Sequence, residues 1–81
     1  MFKVYVLTNK KGKIYIGQTR DLEKRLFEHN SSGSGYTSKF RPWKLAYFEE
    51  FPSRSEAMPR ERFLKTGKGR EEISTKIGSV G

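Results

Sequence analysis

Two tyrosines, an arginine and the chain's one histidine, Tyr5, Tyr15, Arg25 and His29, fall in a single short stretch near the N-terminus. These residue types suit phosphodiester chemistry. Cleavage of a phosphodiester needs a deprotonated water aimed in line, neutralised charge on a pentavalent phosphorus, and a stabilised leaving oxygen. A phenol has an ordinary pKa of about 10 and serves as a base only where positive charge or a nearby metal favours the phenolate. The Arg25 guanidinium suits bidentate hydrogen bonding to a phosphate, and one carboxylate suffices to anchor Mg²⁺ when water and substrate oxygens complete its shell. Each residue also has a plainer reading: tyrosine is common in strands, and single arginine and histidine side chains commonly sit on helix surfaces. Arrangement decides between them.

The elements that must position these groups can be read from periodicity. Residues 2–8, FKVYVLT, and 13–16, KIYI, alternate in the manner of strands around the connection NKKG. A three-residue loop of Lys10, Lys11 and Gly12, with glycine in the left-handed region, makes a hairpin. If Asn9 pairs with Lys13, odd positions face odd positions. Val4, Val6, Ile14 and Ile16 then share an aliphatic face, while Tyr5 and Tyr15 lie together on the other. From Thr19 to about Asn30 the period becomes helical, with Thr19 or Asp21 as cap, Leu22 and Leu26 as an apolar stripe, and Arg25 and His29 one turn apart beside it.

Residues 30–42, NSSGSGYTSKFRP, read as a basic Gly/Ser-rich surface loop, suited to a nucleic-acid strand. Residues 43–51, WKLAYFEEF, read as a third strand long enough to be the centre of the sheet. After PSRS a helix carries Glu56, Ala57, Glu61, Phe63 and Leu64. The chain then breaks at TGKG and ends with a short helix over residues 71–77.

With 81 residues the chain is expected to form one domain, 1–81, with a small core. Its formal charge of +8, distributed from Lys3 to Lys76, points to a polyanionic partner. With no cysteine and one histidine, disulfides, thiolate sites and multi-histidine zinc sites are excluded, so a metal would be held by oxygen, as Mg²⁺ or Mn²⁺. No apolar run is long enough for a signal segment or a membrane span, and the expected location is cytoplasmic.

KVY at 3–5, YIG at 15–17, an arginine eight residues beyond that glycine, DLEKRL, His29 and a later glutamate together resemble the GIY-YIG nuclease family. The similarity extends over nearly the whole chain. It is greatest to the small stand-alone bacterial members related to the N-terminal incision module of the UvrC excision-repair protein. The resemblance implies an α+β fold, a three-stranded antiparallel β-sheet flanked by helices in the order β-β-α-β-α-α. It also implies a DNA endonuclease that uses one Mg²⁺ or Mn²⁺ ion, structure-selective and linked to repair or recombination.

By the same resemblance Tyr5 and Tyr15 supply or activate the general base, Arg25 stabilises the phosphorane, His29 hydrogen-bonds a tyrosine or relays its proton, and Glu61 binds the metal. Lys39, Arg41, Lys65 and Lys68 are candidate nucleic-acid contacts. DNA is the expected partner, with RNA open as a second, and the expected state is a monomer. Several positions depart from the family pattern. Lys3 replaces the first glycine, Gln18 stands where the repair module has a lysine, and there is no late asparagine. Pro59, two residues before Glu61, crowds a helix that starts at a Ser55 cap. The missing late asparagine and Pro59 favour the alternative, a non-cleaving nucleic-acid-binding module that keeps the nuclease fold.

Overall fold

Asn9 organises the first turn. Its Oδ1 accepts hydrogen bonds from the amides of Lys11 and Lys13, at 3.0 and 2.9 Å, and its carbonyl accepts one from Gly12 N at 3.1 Å. Gly12 takes φ +79°, a left-handed conformation that glycine adopts without steric cost. In the computed structural model, which describes residues 1–31 and 39–77, this turn joins β1 (Phe2–Thr8) to β2 (Ile14–Thr19). Tyr5 pairs with Gly17, Val6 with Ile16 and Leu7 with Tyr15, so the odd-to-odd register holds. Strand β2 runs three residues further than its sequence pattern suggests.

The third strand, β3 (Lys44–Phe51), does not take the centre. The sheet order is β2-β1-β3, all antiparallel, and β1 is the middle strand. Length does not decide this. Val4, Tyr5, Val6 and Leu7 are all buried, so β1 needs cover on both faces, whereas Lys44, Phe48 and Glu50 leave β3 exposed at alternate positions, as an edge permits. A bulge at the Val6/Leu7 step turns Tyr47 and Leu45 to opposite faces. Without it these two residues would share a face.

Helices cover both sides of the sheet. On the tyrosine face lies α1 (Leu22–Ser31), started by Asp21, whose carboxylate accepts from Lys24 N at 3.1 Å. Leu22 and Leu26 pack against the Tyr5, Leu7 and Trp43 cluster. Asn30 and Ser31 belong to this helix and not to a loop. The Asn30 side chain brackets the Trp43 backbone, donating to its carbonyl at 3.0 Å and accepting from its amide. Residues 32–38, most of the expected 30–42 loop, lie outside the described residues.

The aliphatic face, Val4, Val6 and Ile16, is covered by α2 (Arg54–Leu64) and α3 (Gly67–Ile77) through Ala57, Leu64 and Ile73. The cap of α2 is Ser53 and not Ser55: Ser53 accepts from Glu56 N, and Ala57 N bonds to its carbonyl at 3.1 Å. Pro59 is therefore well inside a continuous helix. Its ring faces solvent, where the Ser55 carbonyl that it deprives of a partner can bind water.

The break between the last two helices is confined to Lys65 and Thr66, so Gly67, Lys68 and Gly69 of the TGKG segment already belong to α3. Thr66 caps it by accepting from Gly69 N at 3.1 Å, and Arg70 N bonds to the Thr66 carbonyl at 2.9 Å. A Cβ at Gly69 would lie 2.0 Å from the Phe63 carbonyl oxygen, so this glycine serves close helix packing. Arg60 ties the layer together: it grips Glu49 of β3 with two bonds of 2.8 Å and also bonds to Glu72 of α3. The Arg60 guanidinium holds the Glu49 carboxyl below its usual range.

Candidate active site

Tyr5 is the hub of the tyrosine face. It stands on the central strand opposite Gly17, and a Cβ at Gly17 would lie 2.7 Å from its hydroxyl, so the missing side chain is what lets the phenol extend across β2. Helix spacing brings Arg25 and His29 to that hydroxyl. Arg25 Nε donates to it at 3.3 Å, and His29 Nε2 lies 3.0 Å away. The same oxygen accepts from Arg25 and, in the tautomer that carries the imidazole proton on Nδ1, donates its own proton to His29 Nε2. The rings of Tyr5 and Tyr15 are 6.2 Å apart, and Tyr15 and His29 are 4.7 Å apart. Trp43 backs Tyr15 at 6.3 Å.

Burial sets the electrostatics. Tyr5 is 1% exposed and its pKa is pushed up to about 12, chiefly by desolvation, with the Arg25 hydrogen bond opposing and Tyr15 and Glu61 adding to the rise. His29 is 5% exposed and is held below its usual value by burial first and by the Arg25 charge second. Phenol and imidazole are therefore both neutral near pH 7. Arg25 also pairs with Glu28 at 3.2 Å, with both side chains partly exposed.

Glu61 comes from the opposite face. Its helix covers the aliphatic side, and its carboxylate meets the edge strand β2, where its charge adds to the raised pKa of Tyr5. There Gln18 Nε2 donates to Glu61 Oε1 at 2.8 Å, and Lys65 Nζ lies 2.8 Å from Glu61 Oε2. Pro59, two residues earlier, does not prevent this approach. Near the same edge is a cleft of about 280 Å³ lined by Ile14, Tyr15, Ile16, Lys65 and Arg70.

No group of three His, Asp or Glu side chains suited to a metal occurs among the described residues, and the family resemblance leaves Glu61 as the carboxylate that would hold a divalent ion. The donors fit such an ion. Mg²⁺ commonly binds one or two carboxylates and completes its shell with water and phosphate oxygens. The amide that bonds to Glu61 also carries Gln18 Oε1, a buried hard oxygen without a hydrogen-bond partner among the described residues.

The structure thus brings Tyr5, Tyr15, Arg25 and His29 together directly and sets Glu61 at their margin. Of the four cations expected to contact nucleic acid, Lys65 reaches the site and Lys68 is exposed in the first turn of α3. Lys39 and Arg41 are exposed on the approach to β3, flanking Phe40, which packs on the tyrosine-face cluster. Three residues of the site were not identified from sequence. Gln18 reads from sequence as an unfilled position, Arg70 follows an expected break, and Asn30 stands at the expected helix–loop boundary with no role assigned. Only Gln18 carried a signal, as the polar residue directly after YIG.

Residues 1–74 match the GIY-YIG catalytic domain model. A UPF0213 protein from Staphylococcus saprophyticus is 42% identical over 64 residues, which span 78% of either chain. One from Bacillus pumilus is 48% identical over 63 residues, 76% of this chain and 64% of that one. Among solved structures, the solution NMR structure of a UPF0213 protein from Bacillus halodurans superposes with a TM-score of 0.59 at 33% identity, covering 99% of this chain and 89% of that one.

Proposed function

The chain belongs to the GIY-YIG catalytic domain family, a nuclease family, and from that premise we propose that it is a metal-dependent DNA endonuclease, selective for DNA structure and acting in repair or recombination. The observation that carries the reading is the Tyr5 hydroxyl, held between Arg25 and His29, with Glu61 fastened to the neighbouring strand β2 through Gln18.

The chemistry follows from protonation. Tyr5 keeps its proton at neutral pH, so it can accept one from water only while passing its own to the neutral His29. A hydroxyl has two acceptor lone pairs, and Arg25 uses one. The second is available to the water. With Tyr5 buried, that water comes from the side of Tyr15, which borders the cleft. Arg25, charged and partly exposed, presents its remaining donors to the phosphate and offsets the charge of the phosphorane. Glu61 would hold one Mg²⁺ or Mn²⁺ ion, whose chemistry is to neutralise phosphate charge and stabilise the leaving oxygen. Lys65, Lys68 and Arg70 would follow the DNA backbone. No helix is long and apolar enough to cross a membrane among the described residues; the proposal takes the protein as a monomer acting in the cytoplasm, where its DNA substrate lies.

The test is a nuclease screen over branched, flapped, single-stranded and duplex DNA, and over RNA, with Mg²⁺ or Mn²⁺, beside Arg25→Ala and Glu61→Ala. Cleavage by the parent chain that both substitutions abolish is the expected result. Full single-turnover cleavage by Arg25→Ala would sink the mechanism. Salt-sensitive binding without any metal-dependent product would select the non-cleaving binding module instead.

A further inference from the structure

We propose that Gln18 is the positioning residue of the metal carboxylate: its amide fixes Glu61 Oε1, so that Glu61 Oε2 is the oxygen offered to a divalent cation, and Lys65 is the internal cation which that ion displaces. This rests on the reading of Glu61 as the metal residue.

The two oxygens of Glu61 have different kinds of partner. Gln18 binds Oε1 from the sheet, 43 residues away in sequence, as a neutral donor that leaves the carboxylate its charge. Lys65 binds Oε2 from the C-terminal cap of the same helix, one turn on, and its side chain is 52% exposed against 17% for Glu61. An exposed lysine pair of this kind is weak and the lysine stem is long and mobile. Lys65 can therefore leave at small cost, whereas the partly buried amide stays.

The unpartnered Gln18 Oε1 supports this division. A buried carbonyl oxygen without a partner is unfavourable, and turning the amide over would set that oxygen against Glu61 Oε1. The amide thus gives up its own acceptor in order to hold the carboxylate. Lys65 also lines the cleft with Tyr15 and Arg70. Its release from Glu61 frees an ammonium group beside the surface where a phosphate would lie, so one exchange loads the cation and supplies a phosphate contact.

The full chain titrated with Mn²⁺ alone, without DNA, and followed by electron paramagnetic resonance of the free ion, tests the proposal. Gln18→Met is nearly isosteric and lacks the donor, and Gln18→Asn is polar but too short to reach Glu61. Retained thermal unfolding shows which of the two is folded. Loss of a residue that orients a metal ligand typically weakens affinity about tenfold or more, and that is the effect expected of either variant. Lys65→Met is expected to tighten Mn²⁺ binding about two- to fivefold, the equivalent of a weak exposed ion pair. A merely structural Gln18 would predict no such opposed pair of shifts. Parent-like Mn²⁺ affinity in the Gln18 variants, with affinity lost in Glu61→Gln, overturns the proposal and leaves Glu61 as the metal residue. Unchanged affinity in all of them overturns both. Unchanged affinity in Lys65→Met alone overturns the displacement.

Discussion

The Tyr5 hydroxyl touches more of the site than any other atom, since it links Arg25 to His29 and projects over Gly17. Tyr5→Phe keeps the ring and removes that link. His29, almost fully buried, then loses its partner, and an unsatisfied buried polar group costs about 1–3 kcal/mol. Tyr5→Phe should therefore abolish cleavage and also lower unfolding free energy by that amount in urea titrations. His29 adds a pH dependence whose direction is fixed by burial. Its folded pKa lies below the ordinary 6.5, so in mildly acidic solution the unfolded chain takes up a proton that the folded chain resists. Stability should fall as the pH drops through about 6.5, and the loss should end once the lower folded pKa is passed. His29→Gln should remove this contribution from urea titrations below pH 7.5, whereas the parent's cleavage should decline only further into acid, as the pH approaches the lower folded pKa of His29. The meeting of these side chains was legible in sequence because an odd-length turn and a helical i, i+4 spacing each impose a direction. The burial that sets their protonation was not, since it depends on Trp43 and on α1 closing over the face.

At the scale of elements, glycine and proline were the hardest residues to read. Their local meaning is breakage, yet here tertiary packing overrides it. Gly69 lies where α3 crosses the end of α2, and a methyl group there would collide with the Phe63 carbonyl and the Leu64 Cα, at 2.0 and 2.5 Å. Backbone on both sides cannot yield as a flexible side chain would. Gly69→Ala should cost about 1–3 kcal/mol or more, despite the higher helix propensity of alanine, and appear as a lowered Tm. Pro59 predicts the opposite. It lies on the exposed side of α2, and alanine would restore an N–H to the Ser55 carbonyl without disturbing any buried contact. Interior proline costs about 3 kcal/mol relative to alanine, so Pro59→Ala should raise Tm by a substantial part of that and leave cleavage unaffected. The strands were easier, because pairing parity is a strictly local consequence of the turn. The position of β3 at an edge was not local: it follows from β1 being apolar on both faces, a comparison between strands that the pattern of either one alone does not express.

The whole molecule divides its tasks between the two sides of one sheet. The aliphatic side, closed by α2 and α3 and fastened by Arg60, supplies most of the packing, while the tyrosine side under α1 carries the proton chemistry. The two come together at the edge of β2, where Gly17 leaves room for Tyr5 and Gln18 reaches Glu61. That geometry explains why the +8 charge was readable as a preference for polyanions while its useful part was not. Lysines and arginines occur throughout the sequence, but convergence on the cleft requires α2 and α3 to turn back across β2. Binding of a noncleavable DNA should weaken steeply with salt. Lys65→Ala or Arg70→Ala should each reduce the slope of log affinity against log salt by about 1, as expected when one phosphate contact is lost. Fluorescence anisotropy across a salt series would measure it. A substitution at Lys24, exposed on α1 and away from the cleft residues, should leave the slope unchanged. Equal effects at all three positions would mean that the charge acts as a diffuse field, with no path for the strand along the β2 edge.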